Sequence, residues 1–194
     1  MLLEGVRVGY ALTGSFCTFD KAIPQIEKLV NEGADVIPII SGAVDELDTR
    51  FGKAEDFKND IQAITGKKPI STIVEAEPIG PRALLDILVI APCTGNTIAK
   101  IANAITDSPV TMACKAHLRN MRPVVIAIST NDGLSANAKN LGLLLNTRNI
   151  YLVPFGQDDP VKKCTSLVAD FDQILPTVIN AMQNIQIQPL LICK

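Results

Sequence analysis

No stretch of this sequence runs apolar for the roughly 18 residues that a membrane span needs, although 47% of its 194 residues are hydrophobic. Its 18 Lys and Arg are outnumbered by 20 Asp and Glu and never gather into a stripe, and the isoelectric point is near 5.4. That excludes the basic face on which nucleic-acid binding depends. The five cysteines, Cys17, Cys93, Cys114, Cys164 and Cys193, contain no Cys-x-x-Cys pair, and the N-terminus lacks a basic segment followed by a long apolar core. A cytoplasmic chain with reduced thiols is therefore expected, with no membrane partner and no metal centre. Internal repeats, low-complexity tracts and linkers are also missing, so residues 1–194 read as a single domain. Two nucleotide fingerprints are absent. Gly9-x-x-x-x-Gly14-Ser15 is neither the Gly-x-Gly-x-x-Gly of a dinucleotide site nor the Gly-Lys-Ser of an NTPase loop, which leaves a monophosphate as the better match.

What the chain does have is a series of apolar runs that break at small polar loops. Ile87 to Ile90 cannot alternate between core and solvent, so both faces of that strand must be covered. The run stops at Pro92-Cys93-Thr94-Gly95-Asn96-Thr97 and resumes with helical spacing through Asn103. Val6 to Leu12 behaves likewise, ending at Thr13-Gly14-Ser15 before a helix that, because Pro24 removes a backbone donor, should either begin near Phe19 or bend. Further strands are expected at 34–40, 71–74, 86–91, 123–128 and 150–154. Further helices are expected at 45–66, 96–103, 109–120, 135–145 and 161–184. The alternation implies an α/β fold: a three-layer, doubly wound, Rossmann-like (flavodoxin-like) sheet of six parallel strands in the order 3-2-1-4-5-6.

In such sheets ligands lie beyond the carboxyl ends of the strands. Thr13, Gly14 and Ser15 would present hydroxyls and helix amides to an anion there, or form a plain helix cap. Ser41 ends the second strand and can face the same crevice. Cys93 is a thiol for redox or nucleophilic chemistry, or a small packing residue. Arg82 and Arg119 are candidate partners for a substrate carboxylate, with Arg82 preferred because it precedes the fourth strand. The single histidine, His117, is expected to face solvent.

The Pro92–Thr97 loop and the helix after it resemble the Pro-Ala-Ser-Ala-Asn-Thr segment of the flavin-containing cysteine decarboxylase superfamily, which includes phosphopantothenoylcysteine decarboxylases, lantibiotic decarboxylases and flavin prenyltransferases. Within it, the sequence is most similar to the dipicolinate synthase B-subunit family of endospore-forming bacteria. The resemblance implies flavin mononucleotide (FMN) held by Thr13, Gly14, Ser15, Ser41, Cys93, Thr94, Gly95, Asn96 and Thr97. Asn96 would bond the flavin ring edge or a substrate carboxylate, or cap its helix. It further implies a homo-oligomer, a trimer or a dodecamer, and a partner, the synthase's A component, that brings its own NAD(P). The reaction implied is oxidation of a dihydrodipicolinate-type dicarboxylate to dipicolinate in the mother cell of a sporulating bacterium.

Two departures weaken the alternative of an FMN-dependent decarboxylase and leave that of a prenyltransferase of the same superfamily open. The decarboxylases carry a histidine just before the fourth strand, where this chain has Pro78, so Glu75 or Glu77 would have to move protons instead. Their Pro-x-Met-Asn-x-x-Met-Trp motif is replaced by Ser129-Thr130-Asn131-Asp132-Gly133, and the sequence has no tryptophan. That hydroxyl- and amide-rich loop suits a flavin or a small polar acid, or is a turn and cap. A non-catalytic stabilising role is the remaining alternative.

Overall fold

Burial on both faces, inferred from the unbroken apolar runs, holds in the computed structural model, which describes residues 1–193. Strands β1 (Arg7–Leu12), β2 (Asp35–Ile40), β3 (Ile87–Cys93) and β4 (Val124–Thr130) are buried along most of their length. They pair in parallel in the order β2-β1-β3-β4, and β5 (Ile150–Leu152) adds a short parallel strand beyond β4. Every residue of β3 is sealed from water, and burial of each of its large aliphatic side chains favours folding by about 1.5–3 kcal/mol.

The helices follow in chain order: α1 (Phe19–Asn31), α2 (Gly42–Glu46), α3 (Ala54–Thr65), α4 (Ile73–Ala76), α5 (Gly95–Ala102), α6 (Pro109–Arg119), α7 (Ala138–Leu145) and α8 (Ile174–Met182). Helices α1 and α8 pack together against one face of the sheet, while α6, flanked by α4 and α5, covers the other. Pro24 sits inside α1, which begins at Phe19 as expected. The buried Tyr10 hydroxyl donates to the Ala22 carbonyl at 2.8 Å, fixing α1 on β1.

The doubly wound fold class is thus confirmed, and three details differ. The strand expected at 71–74 is α4, because Thr72 and Glu75 form a reciprocal capping box that outweighs the β-branched run between them. A single bridge, Ile39 to Ile70, is what remains of pairing at that edge. The helix expected at 45–66 is two helices, with a Thr49–Gly52 turn between them and Asp48 accepting the Ala54 amide at 2.9 Å.

The third difference is the largest. The helix expected from residue 161 begins at 174, and the chain before it forms an antiparallel hairpin of β6 (Phe155–Asp159) and β7 (Lys163–Ala169). Its turn is set by Asp159, whose carboxylate accepts the Val161 and Lys162 amides. The outer edge of β4 is therefore divided: Val124–Ile126 pair with β5, and Ser129–Thr130 pair antiparallel with β7. The full order is β2-β1-β3-β4-β7-β6, with β5 beside β4.

Candidate functional site

Three strand ends meet at one crevice because their loops are bonded to one another. The Thr13 hydroxyl, after β1, donates to the Pro92 carbonyl at 2.7 Å and accepts the Thr94 amide at 3.0 Å. The Ser41 amide, after β2, donates to the Leu12 carbonyl at 3.0 Å. The hollow between them has a volume of about 430 Å³ and is lined by Thr13, Gly14, Ser41, Gly42, Ala43, Thr94, Asn96, Thr97, Lys100, Asp107 and Ser108. That size lies within the roughly 300–1,000 Å³ typical of ligand pockets.

Thr13 is 1% exposed and its hydroxyl is already bonded twice, so it staples the loops together and has little left for a ligand. Thr13→Val is expected to leave the Thr94 amide unpaired, while the Pro92 carbonyl keeps the Thr13 amide at 3.2 Å, and to cost about 1–2 kcal/mol. Thr13→Ser should stay near wild type. Denaturant unfolding of the two variants checks this.

Ser41 differs from Thr13. Its Oγ is shut off from water, has no hydrogen-bond partner, and belongs to a residue on the crevice wall. A buried hydroxyl without a partner costs free energy, so Ser41 is the group with most to gain from a ligand. Helix α5 starts one residue earlier than expected. Thr94 is its N-cap, accepting the Thr97 amide at 3.3 Å, with the two threonine hydroxyls 3.1 Å apart. Asn96 is thereby released from capping and stands exposed on the crevice wall. The first-turn amides of α5 have no helical acceptor and present a partial positive charge.

Several expected site residues lie elsewhere. The Ser15 hydroxyl is 2.7 Å from that of Ser129, closing the β1 loop onto β4 instead of facing the hollow. Cys93 is fully buried in the core, and burial, with the Cys114 thiol nearby, raises its pKa well above the usual thiol range. That disfavours the thiolate needed for nucleophilic or redox work. Gly95 rests on a polar network behind the crevice. There the Thr130 hydroxyl donates to Asp132 at 2.5 Å, Asn137 donates to Asp132 at 2.7 Å, and Asn140 donates to Asn137 at 2.8 Å. Thr130 is thus a scaffold residue, and exposed Asn131 is tied through its carbonyl to the Thr165 hydroxyl.

The charged candidates are also displaced. Exposed Arg82 precedes β3 and so sits at the opposite end of the sheet from the crevice. Arg119 lines a separate hollow between α5 and α6. Glu75 is committed to the cap of α4, whose amide and hydroxyl bonds hold its carboxyl below the usual range. Exposed Glu77 does not reach the crevice wall. His117, expected in solvent, is 1% exposed. It sits on the inward face of α6 with Nε2 unpaired, and burial, reinforced by Arg122, pushes its pKa down to about 4.

The crevice wall also carries an ion pair that sequence reasoning missed. Lys100 Nζ lies 2.8 Å and 2.9 Å from the two carboxylate oxygens of Asp107, and this contact holds the Asp107 carboxyl below the usual range. Lys100 follows Asn96 and Thr97 by four and three residues, so helical spacing alone puts it on their face. Nothing in the sequence marks Asp107 as its partner.

The chain is 52% identical to the dipicolinate synthase B chain of Bacillus subtilis, over 98% of this chain and 95% of that one. The crystal structure of the corresponding dipicolinate synthase B chain from Bacillus halodurans superposes with a TM-score of 0.92 at 48% identity, with all of both chains covered. A more distant structure, the FMN-dependent cysteine decarboxylase SpaF, shares the fold, with a TM-score of 0.68 at 21% identity over 95% of this chain and 98% of the other. The Flavoprotein family model matches residues 2–183. A match of that span, joined to half-identity with a full-length relative, makes this chain a member of the Flavoprotein family.

Proposed function

We propose that this chain is the flavin-binding B component of a dipicolinate synthase, with the phosphate and sugar-alcohol half of FMN seated in the strand-end crevice. The observation that carries the reading is the buried, unpartnered hydroxyl of Ser41, a residue that lines a hollow closed by three strand-end loops. The donors fit the group: Ser41 Oγ, the uncapped amides at the start of α5 and the Asn96 side-chain amide suit a phosphate and hydroxyls, and Gly14 keeps the wall beside them low. When bound, FMN supplies reversible hydride acceptance.

The chain's own residues bind and orient. Ser41 donates to a phosphate oxygen, Asn96 donates to the ring edge or to a carboxylate of the substrate, and the Thr13 staple holds the loops at fixed separation. The lining residues include no histidine, and their one carboxylate, Asp107, is paired with Lys100. The site therefore supplies placement more than proton transfer, which suits oxidation of a dihydrodipicolinate-type dicarboxylate better than decarboxylation. The A component of the synthase contributes NAD(P), the chain works as a homo-oligomer (trimer or dodecamer), and the setting is the cytoplasm of a sporulating mother cell.

Ser41→Ala separates binding from folding. Loss of a bond to a charged phosphate should weaken FMN by roughly 10- to 100-fold, while removal of an orphaned hydroxyl leaves the ligand-free protein as stable as before or slightly more so. Flavin fluorescence titration and thermal unfolding read the two effects. The decisive experiment is the visible spectrum of the purified chain before and after incubation with FMN. It is followed by a dipicolinate assay with the A component, in which flavin and nicotinamide are omitted one at a time. A protein that stays colourless, with undiminished dipicolinate formation when flavin is omitted, overturns the reading in favour of a stabilising role.

A further inference from the structure

We infer that Lys100 is a transferable counter-charge for a phosphomonoester in the crevice, held in place by Asp107 until the ligand arrives, and that this exchange lets the site distinguish a phosphorylated flavin from its unphosphorylated parent. The inference rests on the crevice being a flavin mononucleotide site, and it adds a residue that decides which flavin is taken.

Four observations converge on Lys100. It is the one cationic side chain among the residues lining the hollow. It projects from the same face of α5 as Asn96 and Thr97, four and three residues before it, and the orphaned Ser41 hydroxyl belongs to a residue of the same wall. The neighbouring Ser108 hydroxyl is occupied, because it accepts the Thr111 amide at 3.2 Å in a capping box. Finally, the pair is lopsided: the Lys100 side chain is 26% exposed and that of Asp107 is 56% exposed. The ammonium is the sheltered member and the carboxylate faces water.

That asymmetry decides how the pair responds to a ligand. An ion pair with a largely hydrated carboxylate is held weakly, and Asp107 returns to full hydration at little cost when Lys100 leaves it. A singly charged ligand group offers Lys100 no more than Asp107 already does. A phosphomonoester carries close to two negative charges at neutral pH and several acceptor oxygens, so it draws the flexible lysine by a swing of its side chain. Riboflavin carries no such group and leaves the pair intact.

The test titrates the full chain with FMN and, separately, with riboflavin, following flavin fluorescence in wild type, Lys100→Met and Asp107→Asn. Lys100→Met should weaken FMN by roughly tenfold or more and leave riboflavin unchanged. Asp107→Asn, which frees the lysine, should tighten FMN by roughly threefold, again without effect on riboflavin. Equal weakening of both flavins by Lys100→Met, or an Asp107→Asn protein that binds FMN no better than wild type, overturns the inference. If Lys100→Met does not fold, the Asp107→Asn comparison decides alone. Failure of wild type to bind either flavin overturns the crevice reading and this inference with it; binding of FMN with no response to the two variants overturns the Lys100 role and leaves the crevice reading standing.

Discussion

Gly95→Ala is expected to destabilise the protein by about 2 kcal/mol and to abolish tight flavin binding, against the helix propensity that would favour alanine. A Cβ at this position would stand 2.7 Å from Asn137 Nδ2, 2.6 Å from Asp132 Oδ1 and closer still to Thr130 Oγ1. Thr130 Oγ1 donates to Asp132 Oδ1 and Asn137 Nδ2 to Asp132 Oδ2, so none can retreat without straining a hydrogen bond to the carboxylate. Overpacking costs about 1–3 kcal/mol and each charged hydrogen bond lost about 1.5–3 kcal/mol. The helix gain is at most about 1 kcal/mol and is smaller at a first helical position. A built-in control is Gly142 in α7, where an added Cβ meets nothing within 4 Å; alanine there should stabilise. Denaturant unfolding of both variants decides, and a Gly95→Ala protein as stable as wild type would mean that the network is not rigid.

His117→Leu is expected to flatten the acid side of the stability curve. The imidazole's pKa is near 4 in the folded chain and near 6.5 when unfolded. Between those values the unfolded state binds the proton and the folded state does not, so native stability falls as pH drops from about 6.5 towards 4. The full penalty is about 3 kcal/mol, reached below the folded value. Asp86, held below the usual carboxylate range chiefly by its hydrogen bond to Arg7, adds a loss of the opposite origin, since its stabilisation disappears as it protonates. Glu75 does the same. Both are present in wild type and variant, so the difference between the two curves reports His117 together with its interaction with Asp86. Unfolding free energies at about pH 7, 5.5 and 3.5, which bracket the two pKa values, provide the measurement. Parallel curves would show that the imidazole is protonated without cost.

His117 also shows where sequence reasoning stops. A histidine in a helix that ends in polar residues reads as exposed, and only the position of α6 against the sheet turns it inward. The capping box at Thr72 and Glu75 is legible in principle, but Thr72, Ile73 and Val74 are β-branched and their strand pattern masks it. The β6–β7 hairpin is hidden for a related reason: Leu167, Val168, Phe171 and Ile174 fall at near-helical spacing, and only the Asp159-Pro160 turn signals a reversal. By contrast, β3 and its loop are legible because seven buried residues in a row leave a strand one place to go.

Within the crevice, Ser41, Thr94, Asn96 and Thr97 are readable as strand-end and helix-start positions. The commitments of Thr13, Ser15 and Thr130 are not, because each bonds a residue distant in sequence or folded behind the wall. Lys100 falls within the helix that its spacing predicts, but its role depends on Asp107 and on the wall opposite, which spacing does not encode.

The divided outer edge of β4 bears on how copies of this chain can associate. With β5 on one half and β7 on the other, β4 offers no free row of amides for an added strand. At one margin of the sheet Ile70 exchanges hydrogen bonds with Pro38 and Ile40, and Lys67 reaches the Val36 carbonyl. At the other, Leu190 and Ile192 do the same for Phe155, and the Ile192 carbonyl lies against Gly156 so closely that no side chain would fit there. Both flanks are plugged by the chain's own segments, a natural safeguard against runaway fibre growth. A strand added at either margin would first have to displace these segments, so any contact between copies would fall on helical and loop surfaces.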